Sequence, residues 1–255
     1  MKPFLAERYA GLILSSILLV GGSLLFFKLG ERDFWTDEVF SVSVAKLDSL
    51  GDILETMKKD VNPPLHQILL HGWIRLFGDS AFSVRALSAA LAVLSLGLLY
   101  RIGTLLLDKR YGLWGAFFLA ISPLNLLVSR MARWYAPALF LGLLSTLMFV
   151  KIAPGVRVKP APGSGESNTG PSWIGYIVSS TLLMYLSYIP ISLILAQNLI
   201  VWLYHRRSVA FIKRWILAQS CLALLYLPWV WVVVHQIYSR MDKSYEVDLS
   251  SSLAG

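Results

Sequence analysis

Residues 31–60 read ERDFWTDEVFSVSVAKLDSLGDILETMKKD and run directly into VNPPLH. Eight of the chain's fifteen Asp and Glu residues fall in these thirty positions. Long apolar runs lie on either side. Ionised groups are costly to desolvate next to a bilayer, so adjacent carboxylates such as Asp37 and Glu38 mark the segment as a candidate functional loop on a lipid-embedded scaffold.

Composition supports the scaffold. The chain is 56% hydrophobic and 15% charged, with a mean hydropathy of +0.62, whereas soluble domains carry about 25% charged residues. Nine Trp and eleven Tyr gather near the ends of the apolar runs, as interfacial anchors do. The single cysteine, Cys221, excludes an internal disulfide and a thiolate metal cluster.

Several runs approach the roughly 20 residues needed to cross a bilayer. The expected fold is an all-α integral membrane protein with about seven transmembrane helices, at 10–29, 82–107, 112–126, 134–150, 173–186, 188–203 and 215–234. Short interfacial helices at 39–47, 50–58 and 65–77 are expected in an extracytoplasmic loop, residues 30–80. The Gly-, Pro- and Ser-rich stretch 152–171 reads as a flexible cytoplasmic loop. Residues 1–255 thus form one membrane domain. With a cytoplasmic N-terminus, seven crossings place most Lys and Arg inside, which explains the net charge of +8 without nucleic acid.

Asp37 and Glu38 can act as a general base toward a hydroxyl or amine, or stand in the first turn of a helix capped by Thr36 or Asp37. Asp60 precedes the rigid Asn62-Pro63-Pro64 approach, which suits presentation of a side chain at a fixed place. His66 and His71 are five apart and do not form one ligand pair. Arg85, Arg130 and Arg133 can neutralise a phosphate at the membrane edge, or snorkel to lipid headgroups. Arg133-Trp134-Tyr135 offers a cation beside an aromatic surface. A Mg²⁺ or Mn²⁺ ion held by Asp37, Glu38 and His66, with Asp60 nearby, would bridge to a lipid phosphate. GxGxxG, GK[ST], HExxH and GxSxG are absent, so those nucleotide and hydrolase classes have no support.

The order Asp-Glu after the first apolar run, D-x-N-P-P-L-H, L-F-G-D-S-x-F-S-V-R-x-L-S, then S-P-x5-S-R-x-x-R-W-Y resembles the polytopic GT-C glycosyltransferases, in particular the protein mannosyltransferase and lipid A aminoarabinose transferase-like group. The likeness covers residues 34–144. It implies an inverting transfer of a sugar from a polyprenyl-phosphate-linked donor to an acceptor on the outer face. Asp37 would then be the base, Glu38 its neighbour, and Asp60 part of the same cleft. Arg133 and Tyr135 would face the donor, with membrane lipids around them. Two features depart from the pattern. Asn62 stands where the family commonly has His, and members are longer with more spans. That implies the N-terminal part of a larger module, with a partner chain supplying missing helices. The alternatives are an inactive glycosyltransferase-like membrane scaffold and, with less support because the spans lack central charges, a transporter.

Overall fold

The computed structural model describes residues 9–153, 170–205 and 208–253, with side chains as far as residue 238. Most of the expected loop at 152–171 lies outside these residues. Every element among them is helical: α1 (Ala10–Phe26), α2 (Thr36–Ala45), α3 (Leu50–Met57), α4 (Leu65–Phe77), α5 (Ala81–Leu106), α6 (Lys109–Ile121), α7 (Pro123–Ser129), α8 (Tyr135–Ile152), α9 (Gly170–Met184), α10 (Ile191–His205) and α11 (Val209–Leu253).

Local chemistry sets the boundaries. The apolar run that begins at residue 10 stops being helical at Phe26. Phe27 turns to extended backbone, and Lys28 sits at φ 53°, a left-handed conformation that costs an L-residue roughly 1–2 kcal/mol. α3 is capped by Ser49, whose hydroxyl accepts from Asp52 N–H at 3.1 Å and donates to the Asp52 carboxylate at 2.7 Å. Pro63 and Pro64 lead into α4, and Gly78 at φ 79° ends it. Ser80 caps α5, and Asp108 caps α6 by accepting from Arg110 and Tyr111 N–H.

The expectation of seven crossings is overturned. Among the described residues three helices are long and apolar enough to span a bilayer: Ala81–Leu106, Tyr135–Ile152 and Val209–Tyr238. α6 and α7 make a fourth if the pair, bent by 61° at Ser122-Pro123, counts as one span. The reason is length. α1 has 17 residues, and α9 and α10 have 15 each, short of the roughly 20 a crossing takes. The orientation and extracytoplasmic loop inferred from seven alternating crossings lose that basis.

The helices pack against one another as a bundle. α1 lies along α5, with Ile17 against Leu96 and Tyr100, and Leu25 against Ala86, Ala89 and Ala92. α5 and α6 touch backbone to backbone, because a Cβ on Gly112 would stand 2.4 Å from the Tyr100 carbonyl oxygen. Polar side chains bind α8 to α11 together. Gln219 donates to the Tyr176 hydroxyl, Tyr176 donates to Gln197, and Gln197 donates to Ser145, at 3.1, 3.1 and 3.3 Å. In lipid each such bond contributes about 0.6 kcal/mol on average.

The upper end of α11 reaches back to the acidic segment. The Gln236 amide donates to the carbonyls of Lys58 and Asp60, both at 2.9 Å, and accepts from the Tyr188 hydroxyl at 3.2 Å. Leu65 N–H donates to the Tyr185 carbonyl at 3.1 Å. The α3–α4 connection is therefore held by residues far along the chain. Gln236→Leu withdraws the donor from two carbonyls and is expected to cost about 1–3 kcal/mol, read as a lowered thermal midpoint in detergent.

Candidate functional site

Four segments meet where α2 begins. Glu38 is the third residue of α2, and its side chain turns back into the protein, 3% exposed against 5% for its partner Arg85. One carboxylate oxygen accepts from Arg85 Nε at 2.9 Å and from Ala132 N–H at 2.9 Å. The other accepts from Arg85 Nη2 at 2.8 Å and from Trp35 N–H at 3.1 Å. A carboxylate offers about four lone-pair positions, and all are filled. The bond to Trp35 N–H is also the return half of a capping box.

Arg85 is equally saturated. Besides its two bonds to Glu38, Nη1 donates to the carbonyls of Leu29 and Arg32 at 3.0 and 2.8 Å, and Nη2 to that of Asp33 at 2.9 Å. A guanidinium has five N–H donors, so none remains for a donor phosphate. The Phe34 ring lies 5.2 Å from its Cζ. In this geometry Glu38 and Arg85 hold each other and the neighbouring backbone, with every carboxylate and guanidinium position bonded within the protein. Burial pushes the Glu38 carboxyl up. The hydrogen bonds from Arg85, Ala132 and Trp35, with the Arg85 charge, outweigh it and hold the group below its ordinary value.

Asp37, one residue earlier, faces outward with its side chain 55% exposed and its carboxylate 3.4 Å from Arg133 Nη2. Nη1 of Arg133 donates to the Asp37 carbonyl at 3.2 Å and to Ser41 Oγ at 3.3 Å. Ser41 in turn donates to the Asp37 carbonyl at 3.0 Å. Arg133 Nε is buried without a hydrogen-bond partner. Arg130 donates to the Phe27 carbonyl, and its Nε is likewise buried and unpaired. The Tyr135 ring lies 4.5 Å from that of Trp134, at the start of α8.

His66, in the first turn of α4, is 1% exposed and lies 3.1 Å from the Ala132 carbonyl through Nε2. The carbonyl can only accept, so Nε2 carries the proton. His71 makes the matching contact to the Ala45 carbonyl through Nδ1, at 2.8 Å. Burial, assisted by the Arg133 charge and opposed by the Ala132 bond, lowers His66 to about 4. Asp60 makes a different set of contacts. It is half-buried, accepts from Asn62 N–H at 3.3 Å, and shares no recorded contact with Asp37, His66 or Arg133 among the described residues.

The expected Mg²⁺ or Mn²⁺ site at Asp37, Glu38 and His66 is not formed. Among the described residues no group of three or more His, Cys, Asp or Glu side chains could hold a metal ion. The oxygens of Glu38 are taken, so this donor set does not fit a divalent ion. Sequence reasoning missed an apolar cleft of about 530 Å³, lined by Leu54, Lys58, Leu65, Tyr185, Trp229 and Val232. Its two walls are distant in sequence, and no motif joins them.

Breaking the buried pair on one side should be severe. Arg85→Met strands the Glu38 charge and is expected to cost about 3–5 kcal/mol. The double variant Arg85→Met/Glu38→Leu should lose less, as compared by thermal unfolding in detergent. A second measurement is pH. His66 falls from 6.5 to about 4 on folding, so the unfolded chain binds the proton first. Its contribution is complete above pH 6.5 and is lost as pH drops to about 4, a change of about 3 kcal/mol. Glu38, depressed below 4.5, adds a further loss as pH falls through its own lower value. His66→Gln should flatten the stability profile over the first of these windows and leave the second.

The family model described as dolichyl-phosphate-mannose-protein mannosyltransferase matches residues 61–231. No curated protein and no solved structure matches the chain. The matched segment holds His66, Arg85, Arg130, Arg133, Tyr135 and the Trp229 side of the cleft, and begins just after Asp60. It covers well over half of the sequence, and the chain belongs to the dolichyl-phosphate-mannose-protein mannosyltransferase family.

Proposed function

We propose that the chain is a glycosyltransferase-like membrane scaffold that binds the phosphate of a polyprenyl-phosphate-linked sugar, without by itself assembling a complete transfer site. The mutual saturation of Glu38 and Arg85 carries this reading. In this reading one carboxylate of the expected catalytic set and one arginine of the expected phosphate-binding set are occupied with each other, and Asp60 stands in a separate contact network. What remains together is the exposed Asp37 beside Arg133. A guanidinium in that position matches phosphate oxygens. The apolar cleft on the Lys58 and Trp229 side offers room for part of a lipid chain.

The site sits on the outer membrane face in this proposal. α5 and α8 run away from the site, and α11 runs toward it. At their far ends lie Arg101, Lys109, Arg110, Lys151, Lys213 and Arg214 against the acid Asp108, a basic end of the kind that faces the cytoplasm.

A second reading is supported by the exposure of Asp37. Its carboxylate would take the proton of an acceptor hydroxyl or amine as the acceptor attacks the sugar's anomeric carbon with inversion, and Arg133 would stabilise the departing lipid phosphate. Helices from a partner chain would complete the acceptor side.

Purified protein in detergent separates the two, with dolichyl phosphate as the binding probe and dolichyl-phosphate mannose as the turnover probe. The scaffold reading expects saturable binding of dolichyl phosphate. Arg133→Met should weaken it about tenfold or more, since a charge-assisted hydrogen bond is lost. Mannose release or transfer should not exceed that of a protein-free control. Turnover that disappears in Asp37→Asn would instead establish the enzyme.

A further inference from the structure

The turn that carries Arg130 and Arg133 is short, and its backbone is pinned at three points. Arg133 N–H donates to the Met131 carbonyl at 2.8 Å, closing a three-residue turn around Ala132. The two polar groups of Ala132 then face different partners. Its N–H goes to Glu38 at 2.9 Å, and its carbonyl receives His66 Nε2 at 3.1 Å. Ala132 is fully buried, so water does not replace either partner. The direction in which the next residue, Arg133, leaves the backbone is therefore set from α2 on one side and from α4 on the other.

The Glu38 bond holds the Met131–Ala132 peptide, and the next one, Ala132–Arg133, is otherwise held only within the turn, by Arg133 N–H on the Met131 carbonyl. The His66 bond anchors that second peptide from α4. Arg133 depends on it, because its guanidinium must reach Asp37 and Ser41 on α2 from a different part of the chain. Contacts of 3.2–3.4 Å hold a long side chain only weakly, so the backbone beneath must be the rigid part.

We infer that His66 is a positioning residue for the phosphate-binding arginine: its Nε2–H, bonded to the Ala132 carbonyl, orients the 131–133 turn so that Arg133 presents its guanidinium beside Asp37. The inference rests on the phosphate-binding reading above. It assigns His66 no contact with the lipid and no metal.

The discriminating pair is His66→Met, which fills similar space without a donor, and His66→Gln, whose amide nitrogen can reach the same carbonyl. Two readouts are taken on the full chain in detergent: affinity for dolichyl phosphate, and amide hydrogen-exchange protection of residues 131–134. In His66→Met both should fall by about tenfold, the equivalent of one lost hydrogen bond. In His66→Gln both should return to within about twofold of the parent. A general loss of packing would not be repaired by the amide.

Parental affinity and protection in His66→Met would overturn the inference, and so would equal losses in the two variants. If His66→Met does not fold, His66→Gln decides alone, because loss of protection there would also refute it. Should the parent protein fail to bind dolichyl phosphate while exchange follows the donor as described, the phosphate-binding reading falls and the positioning of the turn stands.

Discussion

The pair formed by Glu38 and Arg85 is the constraint on which the upper end of the molecule depends. Two charges removed from water cost several kcal/mol each, and their attraction offsets this only when every remaining lone pair and proton is also bonded. Here that condition is met on both sides. Arg85 takes three carbonyls from the link between α1 and α2, and Glu38 takes backbone N–H groups from Trp35 and Ala132. The α1–α2 link, α2, α5 and the 131–133 turn are therefore bonded through one ion pair. Irregular backbone from residues 29 to 35 would otherwise expose unpaired carbonyls beside the membrane-spanning α5, and the guanidinium is what satisfies them.

That arrangement explains how adjacent acids come to have different work. Successive residues on a helix point about 100° apart, so at the start of α2 one carboxylate faces the interior and the next faces out. The sequence showed the acids, the arginines and their order, and of these Asp37, Glu38, Arg85 and Arg133 meet at α2, whereas Asp60 and Arg130 bond elsewhere. It could not say that Glu38 points inward and Asp37 outward, because both are acids in the first helical turn and the pattern of apolar neighbours is short. Glu38 is three residues after Trp35, the spacing of a capping-box return bond, and that spacing was the available signal. Arg85 gave none, since an arginine near a helix start reads equally as a phosphate ligand or a snorkelling side chain.

The membrane topology was legible in class and wrong in number. Apolar runs identify segments that prefer lipid, and all of them are helical. Hydropathy does not register where a helix ends, and here the ends are set by Lys28 in a left-handed turn, by Ser122-Pro123 and by the turn at residues 185–190. The clamp by Gln236 was equally invisible. It joins residues 176 and 178 positions apart, and a lone glutamine in an apolar run carries no periodic signal.

The two ends of the bundle are held by different chemistry, and the difference suits their tasks. Between α8 and α11 the bonds join neutral hydroxyls and amides, which cost less to bury and tolerate small shifts of one helix on another. At the head of α2 the bonds are ionic and saturated, which tolerates no shift without leaving a charge unpaired. A binding surface benefits from the second kind of support. Arg133 is itself loosely held, yet it follows a residue whose N–H and carbonyl are both bonded by buried groups. Rigidity is thus placed under Arg133, and in the proposed phosphate-binding reading its guanidinium keeps the freedom to exchange its contacts with Asp37 and Ser41 for those of a phosphate.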